Sequence, residues 1–480
     1  MTVLAARTGL PLRVPGSQGP GRGAAPFIAG VTLLVGALAL CVNRVHNGDV
    51  YLELSAGRFI SQHGLVGHDP FPTIAAGREW LNQQWLAELT FYNLARLVGM
   101  TGLTLLYALL LGLPLSWLLW RCRDKGVAML AAGAVLYFPT VLAIVHPRAA
   151  VFTLAAFSCL VVLLLRGWPA TLAIPALFAL WANLHGGFVS GLLLIGLVVL
   201  GTLIEHRRAR PSAPAAPGRR PGVALALVGA GALAATFATP LGPRVWEYVW
   251  SFRNPAISLA TQEWAPAFQA PPILAYVLVA GAFAGWLWAA TPRPRPVAPL
   301  LVAGGFLALT LYSQRNVLLL GPVMLYVIAR CAPARPAVRI RRGPVLAVGL
   351  AAVAAAAVWA FALGPARTAP YLKPRLVEAI LRHPPRTGRI ASIAGVGSYL
   401  LWRSARTPVV IDGWLEHYTP RELRGAYTLL LPGRASLDYI RAWNVGGVIT
   451  RRPATIRWLS AHGFRVMART AEGTYLARAS

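Results

Sequence analysis

Residues 26–53 read PFIAGVTLLVGALALCVNRVHNGDVYLE. No residue from Pro26 to Val42 is charged, and an apolar run of roughly 17–22 residues is what crosses about 30 Å of hydrocarbon. The run gives way at Arg44 and turns polar at Asn47-Gly48-Asp49. Leu38-Ala39-Leu40-Cys41 resembles a lipoprotein cleavage box, but Leu40 is too large where a small residue is wanted. The segment therefore reads as an uncleaved signal-anchor helix centred near Leu34. Comparable runs are centred near Leu111, Leu136, Leu163, Leu177, Ile195 and Gly231, and again near Ala280, Phe306, Leu325 and Ala354. The expected fold is an α-helical polytopic membrane protein of about eleven spans, because in lipid every backbone polar group must be satisfied within the segment.

Composition agrees. The chain is 56% hydrophobic and 12% charged, and a soluble domain carries about twice that share of charge. The net charge of +30 suggests nucleic acid at first sight. However, the basic residues are short Arg clusters between apolar runs rather than one continuous stripe, and Lys125 and Lys373 are the only lysines. Clustered Arg beside spans is an orientation signal, so no nucleic-acid partner is expected. The four cysteines have neither zinc-type spacing nor a disulfide framework. No cofactor is expected, and no motif supports a divalent metal.

Alternating the loops gives the topology. Arg7, Arg13 and Arg22, then Arg121 to Lys125, Arg166, Arg207 to Arg220, Arg293 and Arg295, and Arg330 to Arg342 fall on one side. By the positive-inside rule that side is cytoplasmic. The other side receives Arg44 to Met100, His146 to Arg148, His185 to Gly187, Pro240 to Pro271, Ser313 to Asn316 and everything after about Gly364. Only Asp124 and Glu205 fall inside; the other acids lie outside. The protein is thus expected in the cell membrane, with a cytoplasmic N-terminus and an extracytoplasmic C-terminus.

Three regions follow. Residues 1–23 form a Pro/Gly/Arg-rich cytoplasmic tail with the composition of disorder. Residues 24–363 form the transmembrane bundle, including a first outer loop at 44–101. Asp49 to Ile60 and Asn82 to Leu97 have amphipathic spacing and are expected to lie as two interfacial helices on the outer surface. Residues 364–480 form a small extracytoplasmic α/β domain. Its strands are expected at Gly388–Ile393, Thr407–Asp412, Val445–Thr450, Arg465–Thr470 and Thr474–Ala477. Helical stretches near Tyr399, Arg424, Ile440 and Ile456 separate most of them. Gly395-Val396-Gly397 reads as a tight turn, since Leu400 stands where a dinucleotide fingerprint needs its third glycine.

The chemically useful residues gather outside. Asp49 lies at a membrane boundary at the start of the first outer loop, a place for a general base; it would equally serve to cap the helix that follows. Glu53 lies one helical turn on. Asp69-Pro70 is a turn signal. Trp80, Asn82, Gln83 and Trp85 place amides between indoles, which suits a carbohydrate or an interfacial anchor, and Glu88 follows them. His146-Pro147-Arg148, Asn183-Leu184-His185 and Gln314-Arg315-Asn316 each sit at the outer end of a span. Arg148 and Arg315 suit a phosphate clamp or snorkelling to headgroups. Glu263-Trp264 adds a carboxylate. No P-loop, HExxH, GxSxG or Asp-x-Asp pair is present, so nothing supports a cytosolic nucleotide substrate.

The order of these pieces resembles the C-type (GT-C) glycosyltransferase superfamily, membrane enzymes that use polyprenyl-phosphate-linked sugars. The matching stretches are Gly48-Asp49 with Gly57-Arg58, then His63-Gly64 through Asp69-Pro70-Phe71, Trp80 and Trp85-Leu86-Ala87-Glu88. Trp181-Ala182-Asn183-Leu184-His185-Gly186, Glu263-Trp264, Gly397-Ser398-Tyr399-Leu400 and Ile411-Asp412-Gly413 complete them. The resemblance runs over nearly the whole chain, nearest to poorly characterised bacterial members. It implies that Asp49 takes the place of the family's catalytic aspartate. Several branches carry two adjacent acids there, whereas Val50 follows Asp49 here, with Glu53 one turn on as the substitute.

The leading expectation is a glycosyltransferase moving a hexosyl or pentosyl unit from a polyprenyl-phosphate-linked donor to a glycan, lipid or protein acceptor of the cell envelope. Asp49 and Glu53 would be catalytic. Asp69, Trp80, Asn82, Gln83, Trp85, Glu88, His146, Arg148, Asn183, His185, Glu263 and Arg315 would bind substrate. The rivals are a lipid or polysaccharide transporter or flippase, which needs ionisable or broken helices at mid-membrane, and a non-catalytic envelope assembly protein. Reporter fusions at Gly218 and Gly433 test the topology: opposite compartments are expected, and the same compartment for both sinks it.

Overall fold

The computed structural model describes residues 25–41, 44–45, 48–144, 147–208, 221–251, 261–335, 367–368, 374–470 and 473–478. Apolar helices dominate the first part. The helices Ala25–Cys41, Trp85–Arg121, Val127–Ala143, Ala150–Arg166 and Ile174–Leu184 are followed by Phe188–Arg208, Pro221–Ala235, Pro271–Ala290, Ala298–Tyr312 and Val317–Cys331. The expected centres from Leu34 to Leu325 fall within them, and Ala354 lies outside the described residues. Three segments, Gly102–Arg121, Phe188–Arg208 and Pro271–Ala290, are long and apolar enough to cross a membrane. The other apolar helices are shorter, down to the 11 residues of Ile174–Leu184. Val317–Cys331 is buried on nearly every side, as a helix apolar all round should be. Pro271–Ala290 instead exposes Leu278, Val279 and Trp286.

The segment after the first helix is not a pair of surface helices. Asp49–His63 buries Val50 through Gly57 and Ile60, far more than one face. Its neighbours approach at backbone distance. A Cβ on Gly57 would lie 2.2 Å from the Glu88 carbonyl oxygen, and one on Gly48 would lie 2.3 Å from Gly395 Cα. Glycine is what permits such contacts, and they wedge the helix between Trp85–Arg121 and Ala394–Arg403. The second expected helix does not end near Leu97. It bends at Gly99, whose φ is 69°, and continues as the long segment Gly102–Arg121. Between the two helices, the chain from His68 to Glu79 folds back on itself, with Asp69 N–H donating to the Arg78 carbonyl at 2.7 Å.

The tail carries a four-stranded mixed sheet. Its order is Arg389–Ala391, Val445–Thr450, Gly473–Arg478, Phe464–Thr470, with the first pairing parallel and the others antiparallel. Every residue of the central Val445–Thr450 is buried. Helices Ala394–Arg403, Pro420–Thr428, Arg434–Ala442 and Pro453–Ala461 stand where helical stretches were expected. Two expectations are corrected. Thr407–Asp412 is no ladder strand but a single bridge from Val409 to Ile390. The reason is competition: Val409 N–H donates to Pro72 and Val410 accepts from Ile74, so the first loop takes the other edge. Gly395-Val396-Gly397 is not a tight turn but the opening turn of Ala394–Arg403, where Gly395 meets Gly48. The tail's apolar core includes Val410, Ile411, Leu423 and Leu476, and Ala75 of the first loop joins it.

The glycine wedge yields a stability prediction. Gly57→Ala should destabilise by about 1–3 kcal/mol or more, the usual cost of overpacking. Gly196→Ala, at a position with open space around it, should not. Thermal unfolding of the purified variants checks this, and equal melting temperatures would refute the wedge.

Candidate active site

One cavity of ≈ 140 Å³ gathers residues from eight stretches of the chain. Asp49 and Glu53 line it from the helix Asp49–His63, and Glu416 faces them from the tail. Arg148, His185 and Arg315 line it from the ends of bundle helices, with Glu263-Trp264 between them. Six residues expected to act together, Asp49, Glu53, Arg148, His185, Glu263 and Arg315, are thus brought to one place.

Asp49 opens its helix, and the cap position belongs to Gly48, so the capping role is not taken by Asp49. A Cβ on Gly413 would lie 3.9 Å from Asp49 Oδ1, which sets that carboxylate against the tail. Glu53 is deeper. Its Oε1 accepts the Ala149 N–H at 2.7 Å, at the entry of Ala150–Arg166, while Oε2 is buried without a partner. Burial pushes Glu53 well above the usual carboxylate range; Ala149 opposes this, and the Asp49 and Glu88 carboxylates add to it.

The cations are held differently from one another. Arg148 forms a two-pronged pair with Glu263, one prong at 2.8 Å from Nη2 to Oε2. Its backbone is pinned by the Tyr107 hydroxyl, 3.1 Å from both its N–H and its carbonyl. Burial works against the charge of Arg148, but Glu263 outweighs it and raises the pKa. Arg315 stacks over Trp264 at 4.8 Å, and its Nη2 donates to His185 Nε2 at 3.2 Å. The other ring nitrogen, Nδ1, lies 2.8 Å from the Thr153 hydroxyl and 3.1 Å from the Gly187 amide nitrogen, so polar groups hold the ring at both ends. Burial, then Arg315 and Arg148, push the His185 pKa well down, which keeps the ring neutral.

Other expected residues stand behind the cavity. Trp80 is buried edge-on between Phe71 and Trp414. Gln83 Nε2 donates to Ala182 O at 2.6 Å, and Trp85 Nε1 to Asn183 Oδ1 at 2.8 Å. These bonds stitch the first loop to the end of Ile174–Leu184. Asn82 Nδ2 donates to Glu88 Oε2 at 2.7 Å. Asp69 lies 3.2 Å from His417 Nδ1, fastening the first loop to the tail, and a two-pronged Arg78–Glu422 pair repeats the fastening. His146 lies outside the described residues.

Gln84, from the amide run between Trp80 and Trp85, also lines the cavity, as do Tyr248, Thr261, Trp414 and Glu416, which sequence reasoning missed. The signal was the run Asp412-Gly413-Trp414-Leu415-Glu416-His417, dense in acids and aromatics for a loop. Asp412 is buried, accepts from the Tyr418 hydroxyl at 3.0 Å and from Trp414 N–H at 3.0 Å, and is pushed up to about 7 by burial and by Asp69. Burial works against the charge of His417, but Asp69 and Glu416 hold its pKa up. Among the described residues, no group of three or more His, Cys, Asp or Glu side chains is placed to hold a metal ion.

This architecture recurs in solved structures. ArnT from Cupriavidus metallidurans, bound to undecaprenyl phosphate, is 16% identical with a TM-score of 0.54 over 94% of this chain and 97% of its own. The Archaeoglobus fulgidus oligosaccharyltransferase tethered with an acceptor peptide is 11% identical, with a TM-score of 0.53 over 94% and 74%. The same archaeal enzyme with an inhibitory peptide and a dolichol-phosphate gives 12% and 0.52. This chain has the C-type glycosyltransferase fold. No family model and no curated protein matches it by sequence. Within the GT-C fold of this chain the first long loop, the bundle ends and the tail all contribute to one cavity.

Glu88, fully buried with Oε1 unpartnered, lies before the Gly99 bend and yields a pH prediction. Burial pushes its pKa up to about 8, from about 4.3 in an unfolded chain. Its folded form therefore holds the proton more tightly, so the stability it contributes is full below about 4.3 and lost as pH rises through about 8. Glu88→Gln should flatten the fall of Tm between pH 5 and pH 9. Parallel Tm–pH curves for variant and parent would contradict this.

Proposed function

We propose that this protein is a membrane glycosyltransferase that moves a sugar from a polyprenyl-phosphate-linked donor to a hydroxyl of a cell-envelope glycan, lipid or protein. The transfer takes place on the extracytoplasmic face. The observation that carries this is the cavity that brings the carboxylates Asp49, Glu53 and Glu416 together with the guanidinium groups of Arg148 and Arg315 and the His185 imidazole. The GT-C fold supports it, as do neighbours described with undecaprenyl phosphate and dolichol-phosphate. The Arg-cluster alternation supports the side of the membrane. The protein thus sits as a multi-pass chain in the cell membrane, with residues 364–480 as an outer domain over the bundle.

The chemistry follows from these groups. Asp49 takes the proton of the acceptor hydroxyl. The freed oxygen attacks the anomeric carbon, the bond from that carbon to the phosphate oxygen breaks, and the lipid phosphate leaves with the bonding pair. Configuration inverts. Arg315 faces the departing charge, and a preorganised donor in a water-poor site is worth several kcal/mol. Arg148, already gripped by Glu263, serves to fix the position of the cationic groups rather than as a second prong on phosphate. Neutral His185 keeps Arg315 aimed without adding a competing charge. Glu53, with one oxygen committed to the Ala149 N–H, supports Asp49 from one turn below.

Two measurements test this. Mass spectrometry of lipid-linked sugars and envelope glycans, with and without the protein, should show an unused lipid-linked sugar and a missing glycan; unchanged profiles overturn the function. With donor and acceptor identified, Asp49→Asn should lose at least about a hundredfold in turnover, the low end for removing a general base. Glu53→Gln, near-isosteric with a protonated Glu, should lose less than about tenfold. The reverse ranking would make Glu53 the base.

A further inference from the structure

A second cavity of ≈ 550 Å³ opens off the same helix. Tyr51 and Arg58 line it, whereas Asp49, Leu52 and Glu53 line the first. At 3.6 residues per turn these two sets point about 180° apart, so the cavities lie on opposite faces of Asp49–His63. The remaining walls are the stretch Tyr92–Met100 and the helix Ala394–Arg403.

Three guanidinium groups from three separate segments, Arg58, Arg96 and Arg403, line it, and no carboxylate does. Arg58 is half-buried. It donates to the Trp402 and Leu401 carbonyls at 2.9 and 3.0 Å and lies 4.8 Å over the Trp402 ring. That uses part of its five-donor fork. Arg96 and Arg403 are exposed. The apolar part of the wall is aromatic: Tyr51 meets Tyr399 edge-on at 4.6 Å, and Tyr92 meets Trp402 at 6.4 Å.

The location says what such chemistry is for. Immediately past the cavity, Leu97 and Val98 are 73% and 56% exposed. The chain then bends at Gly99 and enters the long apolar segment Gly102–Arg121. Aromatics with guanidinium groups at such an entry mark the headgroup level of a bilayer, and guanidinium forks pair with phosphate oxygens. An isolated arginine there merely snorkels; three converging on one concave aromatic wall do not need to converge for that. A ligand that satisfies all of this has a phosphate for the guanidinium forks and an apolar chain to follow the exposed leucine surface.

We propose that this cavity binds an anionic phospholipid headgroup of the bilayer, and that the bound lipid braces the helix carrying Asp49 from behind. The proposal rests on the membrane placement of the bundle but not on glycosyl transfer, so a protein with no transferase activity would still show it.

The test uses the full chain in neutral detergent, with apparent Tm followed against added lipid. Phosphatidylglycerol should raise Tm, and phosphatidylcholine and inorganic phosphate should not. The R96Q/R403Q pair should need about thirtyfold more phosphatidylglycerol for the same shift, about fivefold per guanidinium lost, with its lipid-free Tm unchanged. R96K/R403K, which keeps the charge, should retain most of the response. Equal responses to the two phospholipids, an undiminished response in R96Q/R403Q, or a response to inorganic phosphate alone would each overturn the proposal. So would a response to undecaprenyl phosphate but not to phosphatidylglycerol, since the cavity would then belong to a donor lipid.

Discussion

The helix Asp49–His63 is held at backbone contact on two sides, by Gly57 against Glu88 and by Gly48 against Gly395. The rest of the arrangement depends on that wedge. Its first turn carries Asp49, its second carries Glu53, and the two gripping elements belong to different regions of the chain. Interiors are close-packed and do not deform continuously. A glycine contact therefore fixes the axial position of the helix more tightly than a layer of long side chains would. The Arg58 bonds to the end of Ala394–Arg403 and the Asp69–His417 contact hold the same joint at two further points.

The electrostatics are arranged around this fixed helix. Glu53 sits among other carboxylates with one oxygen satisfied by the Ala149 N–H, and the entry of Ala150–Arg166 favours negative charge there. Opposite, Arg148 is neutralised by Glu263 while Arg315 is steadied by a neutral imidazole and an indole face. Isolated buried charge is expensive unless paired, and each cation here has a specific answer to that cost.

The tail is part of the site rather than an appendage. Its Gly413–Glu416 stretch lines the cavity, and the buried Asp412 and Tyr418 hold the start of that stretch in shape. Burial and the Asp69 carboxylate raise the Asp412 pKa, while Asp69 and Glu416 raise that of His417 against its burial, so the acids of the first loop and the tail act on one another across this joint.

Much was legible in the sequence because membrane burial writes itself in one dimension. Apolar runs located the helices from Leu34 to Leu325, and strand–helix alternation gave the tail its sheet. The residues Asp49, Arg148, His185, Glu263 and Arg315 announced themselves as polar groups at helix ends, where their cost demands a reason. What the sequence did not contain was distance. It offered Trp80, Asn82 and Gln83 as a sugar platform or an interfacial anchor, whereas Trp80 is buried and the two amide nitrogens donate to Glu88 and Ala182. It gave Arg148 and Arg315 equal roles, and only folding brought Glu263 to one of them. It gave no sign that Glu416, 367 residues after Asp49 by number, would face it across a cavity. Local pattern sets which segments are helical and apolar. Which buried polar groups meet is set by long-range packing, and that meeting decides their chemistry.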